Sequence, residues 1–248
     1  MNRGRADTPG AEASGPRTRG ADPSLRAALD TLDGGCGMLV TGDVPTDAHR
    51  VAATRYFGDP SNPRRRVLGL THDTPRPNAW LPGSVSADSG GTAIVRRDDT
   101  LRSAGASGGS PASDGGLAPS GPVDDGFGRR FLDAIDEVSV DGGDEMTLRV
   151  GLYRVDGLRA TLGESGAGDV LREAAATTRD RGGMAHFHLP RRPVDGEPRS
   201  DPLVDGIATQ LGEVLDVVVE LRLRDRAVLP EERWHIHGWG TTDWYPLG

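Results

Sequence analysis

Met38-Leu39-Val40-Thr41-Gly42 is followed by Asp43-Val44-Pro45, a helix-forming run from Thr46 to about Phe57, Gly58, and then Val67-Leu68-Gly69-Leu70. The first and last runs are short, continuous and apolar, which fits strands buried on both faces. Thr46 is a good helix cap, and Gly58 stands where a left-handed helix terminator belongs. Strand, glycine turn, capped helix and strand make one βαβ unit, and such units build parallel sheets.

Working outward, Ser24 to Leu32 offers a serine cap and apolar positions at 25, 28, 29 and 32, a short helix stopped by Gly34-Gly35. Residues 1–23 have no periodicity and are expected to be a disordered tail. Thr92-Ala93-Ile94-Val95 reads as an edge strand, and about 98–122 as a flexible low-complexity insertion of Ser, Gly, Ala, Pro and Asp. Phe127, Phe131, Leu132, Ile135 and Val138 mark a helix face, and Leu148, Val150 and Leu152 a strand. Val155 and Leu158 lead into a short helix, and Val170 to Ala176 into another that ends at Gly182-Gly183. Met184–Leu189 is a strand stopped by Pro190, and Leu203, Ile207 and Leu211 repeat as a helix does. Leu215–Leu223 is the strongest strand signal, with Arg233–Trp239 as an antiparallel return. The expectation is one α/β domain over 24–248.

Composition narrows the chemistry. The 248 residues carry a net charge of -8, and all 29 basic side chains are arginine. Without lysine there is no Schiff-base enzyme and no phosphate-gripping lysine of an intact nucleotide loop. One cysteine, Cys36, excludes an intramolecular disulfide and a Cys-rich zinc site, and its setting suggests a small core residue. No apolar stretch approaches a membrane span and the first 20 residues lack a secretory apolar block, so a cytoplasmic location is expected. An acidic chain repels nucleic acid unless it has a basic stripe. Arg64-Arg65-Arg66, Arg96-Arg97 and Arg191-Arg192 are the close basic groups, read as solvated strand ends. Asp outnumbers Glu 27 to 10 in this lysine-free chain, which suggests a salt-loving archaeon.

The order of these elements resembles the RecA-like ATPase domain, in particular the KaiC-like proteins, and more closely a degenerate, uncharacterised haloarchaeal branch. Residues 38–42, 67–71, 148–158, 182–186 and 215–221 carry the likeness, which spans about Ser24 to Leu247. It implies a three-layer α/β/α fold with a mainly parallel sheet and an antiparallel C-terminal edge strand. It also implies a phosphate loop at Gly42, Asp43, Val44, Pro45, Thr46, Asp47, Ala48 and His49. Such a loop needs glycine to curl, lysine for the phosphates and a hydroxyl for Mg²⁺. Asp47, Ala48 and His49 occupy those three places, so the loop is vestigial and no cofactor is expected. The likeness puts His72-Asp73 at the catalytic carboxylate pair and Tyr153 at the Mg²⁺-supporting acid, with Asp156 three residues late.

Rival chemistries are a histidine-liganded metal protein and an ATPase-like enzyme with Asp73 as base and Arg50 on phosphate. His186 and His188 share one side of a strand, as do His235 and His237. If the family strand order applies, two strands lie between the pairs, a gap of about 14 Å. That separation argues against pooling four ligands. Ser139, Ser165 and Thr241-Thr242 lack the context of a hydrolase nucleophile. Trp234, Trp239, Trp244 and Tyr245 are candidates for a partner surface, or for a cover over the last sheet edge. The leading expectation is a non-catalytic regulatory or scaffold domain that meets a protein partner or its own copies.

Overall fold

The computed structural model describes residues 30, 32, 34–97, 126–140, 147–192, 197–225 and 227–247. The expected tail, most of the 24–32 helix and the 98–122 insertion lie outside the described residues. In chain order the elements are β1 (Cys36–Thr41), α1 (Thr46–Tyr56), β2 (Arg64–Leu70), β3 (Thr92–Arg96), α2 (Phe127–Val140), β4 (Thr147–Tyr153), α3 (Val155–Asp180) and β5 (Met184–Leu189). Then come α4 (Pro202–Leu211), β6 (Val217–Arg222), β7 (Glu231–Ile236), β8 (Gly240–Thr241) and β9 (Tyr245–Pro246).

The sheet runs β3-β2-β4-β5-β1-β6-β7-β8, with β9 also paired to β7. Strands β1 to β6 are mutually parallel, and β7 returns antiparallel to β6. The α/β class, the mainly parallel sheet and the antiparallel C-terminal edge are therefore as the sequence implied. Period-two alternation splits the core between two faces. Leu39, Val150, Leu152, Ala185, Phe187 and Leu189 pack with α2, α3 and α4 on one side. On the other, Met38, Val40, Val217 and Val219 pack with Ala52 and Tyr56 of α1, while Leu68 and Leu70 meet Phe57 and Trp80.

Several local expectations need correction. Thr46 does not cap α1: Pro45 holds the cap position with no side-chain bond. Its hydroxyl instead accepts from Tyr153 Oη at 3.3 Å. The two helices expected after β4 are one element broken at Gly163, whose φ of 73° no neighbouring residue shares. The return strand spans Glu231–Ile236 rather than Arg233–Trp239, because the chain turns at Gly238, φ 74°. Arg65 and Arg66 are not solvated strand ends but are 5% and 4% exposed. Both lie in β2, an interior strand between β3 and β4, so their side chains run beneath neighbouring elements.

Two contacts fix α1 against the far side of the sheet. Tyr56 Oη donates to Glu232 Oε2 at 2.5 Å, and the Arg55 guanidinium lies 3.1 Å from Glu232 Oε1. Burial, then the Glu232 charge, pushes the Tyr56 phenol well above its ordinary value. The tyrosine therefore stays a donor at every relevant pH.

Candidate functional site

Ligands of open α/β sheets bind beyond the carboxyl ends of the strands, so the site begins where β1 ends. Gly42 closes β1 with φ 136°, and a Cβ there would stand 2.2 Å from the Leu221 carbonyl oxygen of β6. Only glycine fits. Residues Asp43 to Pro45 then lead into α1, and the first turns of α1 point His49 back toward the loop.

The imidazole of His49 fills the loop. Its Nε2 lies 3.3 Å from the Gly42 carbonyl oxygen and its Nδ1 lies 3.2 Å from Nδ1 of His188. His188 Nε2 in turn lies 3.0 Å from His186 Nδ1. The three rings are no more than 1% exposed. They form a chain, Gly42 O to His49 to His188 to His186, running under α1 along β1 and β5. Tyr153 closes the near side, tilted 37° against Trp80 at 4.1 Å between centroids. A phosphate cradle needs a hollow lined by converging amides. Here that hollow holds an imidazole, and the rim carries the exposed Asp43 and Asp47.

Burial holds all three imidazoles neutral: His49 is lowered to about 4 and His186 to about 3, and His188 well below its ordinary value. Neutral imidazole has one donor and one acceptor nitrogen. The Gly42 carbonyl can only accept, so His49 donates through Nε2 and accepts at Nδ1. His188 must then donate through Nδ1 and accept at Nε2, and His186 must donate through Nδ1. The proton order is fixed by one peptide oxygen. The last nitrogen, His186 Nε2, is buried without a hydrogen-bond partner. It sits against Gly151, where a Cβ would stand 2.8 Å from it and 2.7 Å from Phe57. For these three of the six histidines, imidazole ¹⁵N spectra at neutral pH should therefore show one Nε2–H ring (His49) and two Nδ1–H rings (His186 and His188). Any other distribution contradicts this polarity.

The three histidine rings lack the geometry of a proton relay or a metal centre. Their ends are a carbonyl and a sealed lone pair, and nitrogens strung in line do not converge on one point. Among the described residues no group of three His, Cys, Asp or Glu could hold a metal ion. The two expected histidine pairs stand two strands apart, as anticipated. They also face opposite sides of the sheet: His186 and His188 lie under α1, whereas His235 pairs in register with Val218 on the other side. His235 bonds Glu220 and Thr241 there.

The remaining candidates are scattered. Asp73 is 89% exposed in its side chain and lies 3.7 Å from the Arg96 guanidinium. Asp156 is engaged by Arg154 at 2.5 Å, and Arg50 by Asp47 at 3.2 Å. Burial, then the Arg154 charge, lowers His72, which sits beside Thr71. Cys36 is buried at the start of β1. Trp234 and Trp239 turn inward against the α1-side core. The Arg222 and Arg233 guanidinium groups lie over the ring of Trp244, at 3.8 and 4.7 Å. Of that quartet only Tyr245 is an exposed large side chain, at 45%.

Sequence reasoning placed His49 in the loop but missed its partnership with β5. The signal was present: 49, 52, 53, 56 and 57 form one helical stripe, and that stripe is buried. A histidine on it had to meet another polar group in the core.

No curated protein matches the chain. Among solved structures it is similar to the KaiC-like protein PH0186 from the hyperthermophilic archaeon Pyrococcus horikoshii OT3. The two share 13% identity with a TM-score of 0.49, over 86% of this chain and 84% of that one. A family match over residues 35–221, from the head of β1 through most of β6, takes in every residue of the histidine chain. The protein thus belongs to the family of unknown function DUF7504.

Proposed function

We propose that this chain is a RecA/KaiC-like domain of a degenerate haloarchaeal branch that neither binds nor turns over nucleotide and serves as a regulatory or scaffold subunit. The observation that carries the reading is His49 Nε2 on the Gly42 carbonyl oxygen, with its ring inside the loop. A triphosphate entering there would have to expel a buried ring hydrogen-bonded at both nitrogens. It would meet the Asp43 and Asp47 carboxylates and find no lysine anywhere in the chain. Arg50, the nearest cation of the loop, is already bonded to Asp47. A contact surface is available at the β6–β7 hairpin, where Leu223, Val228 and Leu229 are exposed by 40%, 93% and 54%. Tyr245 of β9, on the far side of β7, extends the apolar area.

Calorimetric titration of the full chain with Mg-ATP and Mg-GTP in multi-molar KCl should give only heats of dilution. Saturable binding of one nucleotide per chain would overturn the proposal. So would loss of such binding in an Arg50→Ala variant, which would establish the ATPase-like alternative.

A further inference from the structure

At the opposite ends of the strands lies a hollow of about 340 Å³, formed where β2 and β3 begin. Its wall includes Arg64, Arg66, Ser61, Ser84, Ser89 and Thr92. Three features there are unbalanced. First, most of the other described arginines are matched with a carboxylate, including those at 50, 55, 154, 179, 191, 199, 222 and 233. Among the described residues no carboxylate lies within ion-pair distance of Arg64 or Arg66. Burying a guanidinium without a counter-charge is costly.

Second, Arg66 is held rigidly by three backbone oxygens: Nε donates to Phe57 O at 3.2 Å, one terminal nitrogen to Arg64 O at 3.1 Å, and the other to Asp59 O at 3.1 Å. Those bonds aim its charge but do not neutralise it, and two of its five N–H groups stay unused. Arg64 brings one guanidinium nitrogen against Gly58: a Cβ there would stand 1.3 Å from it, so a side chain at 58 would displace it. Asp59 is the nearest acid, and its carboxylate is occupied by the Ser61 amide at 2.8 Å and the Ser61 hydroxyl at 2.6 Å. Third, the Thr92 hydroxyl is buried without a partner. A ligand that bonds such an orphan recovers the cost of having desolvated it.

One ligand would satisfy all three. We propose that the hollow between the starts of β2 and β3 binds a small phosphorylated polyol, its phosphate on the Arg64 and Arg66 guanidinium groups and its hydroxyls on Thr92, Ser84 and Ser89. Two planar guanidinium forks match the oxygens of a doubly charged phosphate monoester. The Ser89 oxygen already accepts the Ser86 amide at 3.0 Å, which leaves its O–H to donate. The hollow is of a size for a ligand of roughly a dozen heavy atoms, near the lower end of about 300–1,000 Å³ for such sites. It lies a full strand length from the His49 loop, about 20 Å for six residues, so it is independent of the closed loop. Arg64 supplies the exposed, displaceable charge and Arg66 the fixed one.

The test is titration of the full chain with inorganic phosphate, ribose 5-phosphate and ribose at constant KCl, read by calorimetry. Ribose 5-phosphate should bind one per chain, at least tenfold more tightly than inorganic phosphate, and ribose should give no heat. Arg64→Gln should weaken ribose 5-phosphate at least tenfold, and Thr92→Val several-fold, with unchanged circular dichroism. Absence of binding by either phosphate compound overturns the proposal, as does an Arg64→Gln variant that binds normally. Equal affinity for inorganic phosphate and ribose 5-phosphate overturns the assignment of the hydroxyl wall. Should Arg64→Gln fail to fold, suppression of the wild-type titration by sulfate but not by added chloride decides between a phosphate-shaped site and none.

Discussion

Acidification from pH 7 to pH 5 will remove on the order of 4 kcal/mol from the unfolding free energy through His49 and His186, roughly 2 kcal/mol for each, with His188 acting in the same direction. Histidine in the unfolded chain titrates at its ordinary value of 6.5, while folded His49 and His186 wait until about 4 and about 3. The unfolded state therefore takes up protons first. The contribution of these groups is complete above pH 6.5 and is lost as pH falls toward the folded values. Desolvation is the leading cause for all three, reinforced by Arg154 near His49, by Arg149 near His186, and by each neighbouring ring for His188.

Carboxylates do not confuse this window. Asp156, Glu220 and Glu231 are also held below their ordinary values of 3.8 and 4.5, and their share is lost only at lower pH. His72 adds a smaller shift of the same sign. Denaturant midpoints measured between pH 7 and 5 should thus report uptake of at least two protons on unfolding, a slope of about 3 kcal/mol per pH unit or more at the acid end. The exposed His237→Gln variant should follow the wild-type curve. Flat midpoints across that interval would mean that the three rings are not buried as a neutral set.

Gly42→Ala will cost about 3–5 kcal/mol through backbone strain and overpacking, at the residue whose carbonyl anchors His49. The cost has two parts. At φ 136° the backbone is in a region that side-chain-bearing residues avoid, and the new Cβ would stand 2.2 Å from the Leu221 carbonyl oxygen. That oxygen belongs to a strand with neighbours on both sides and cannot retreat. Equilibrium unfolding in guanidinium chloride checks the value. Gly34→Ala, where a Cβ meets nothing within 4 Å, should leave the midpoint within experimental error.

The sheet was legible in the sequence because its strands are interior and parallel, and such strands are continuous apolar runs such as Val217-Val218-Val219 and Met38-Leu39-Val40. Turn chemistry was legible where glycine takes positive φ, as at Gly58 and Gly182. Three things were not. Arg65 and Arg66 look like surface charge until their neighbours are known, since a guanidinium can be buried on backbone carbonyls that leave no trace in side-chain patterns. Trp234 points out of β7 toward α1, which only the pairing register shows, and Trp239 joins it from the turn that follows the strand. The histidine chain joins residues 139 positions apart. Spacing within one segment cannot reveal a partner on another, although the buried stripe of α1 marked His49 as a residue in need of one.

The tail of the described chain folds back so that β7 is paired at two places, by Gly240–Thr241 and by Tyr245–Pro246. Between them Thr242 bridges the gap, its amide donating to the Trp234 carbonyl and its hydroxyl accepting the Trp234 amide. The outer strands of that border, β8 and β9, are two residues each, so an incoming strand finds little there to pair with. β3 offers five residues at the other border, which makes the sheet unequal at its two ends for growth by lateral strand addition.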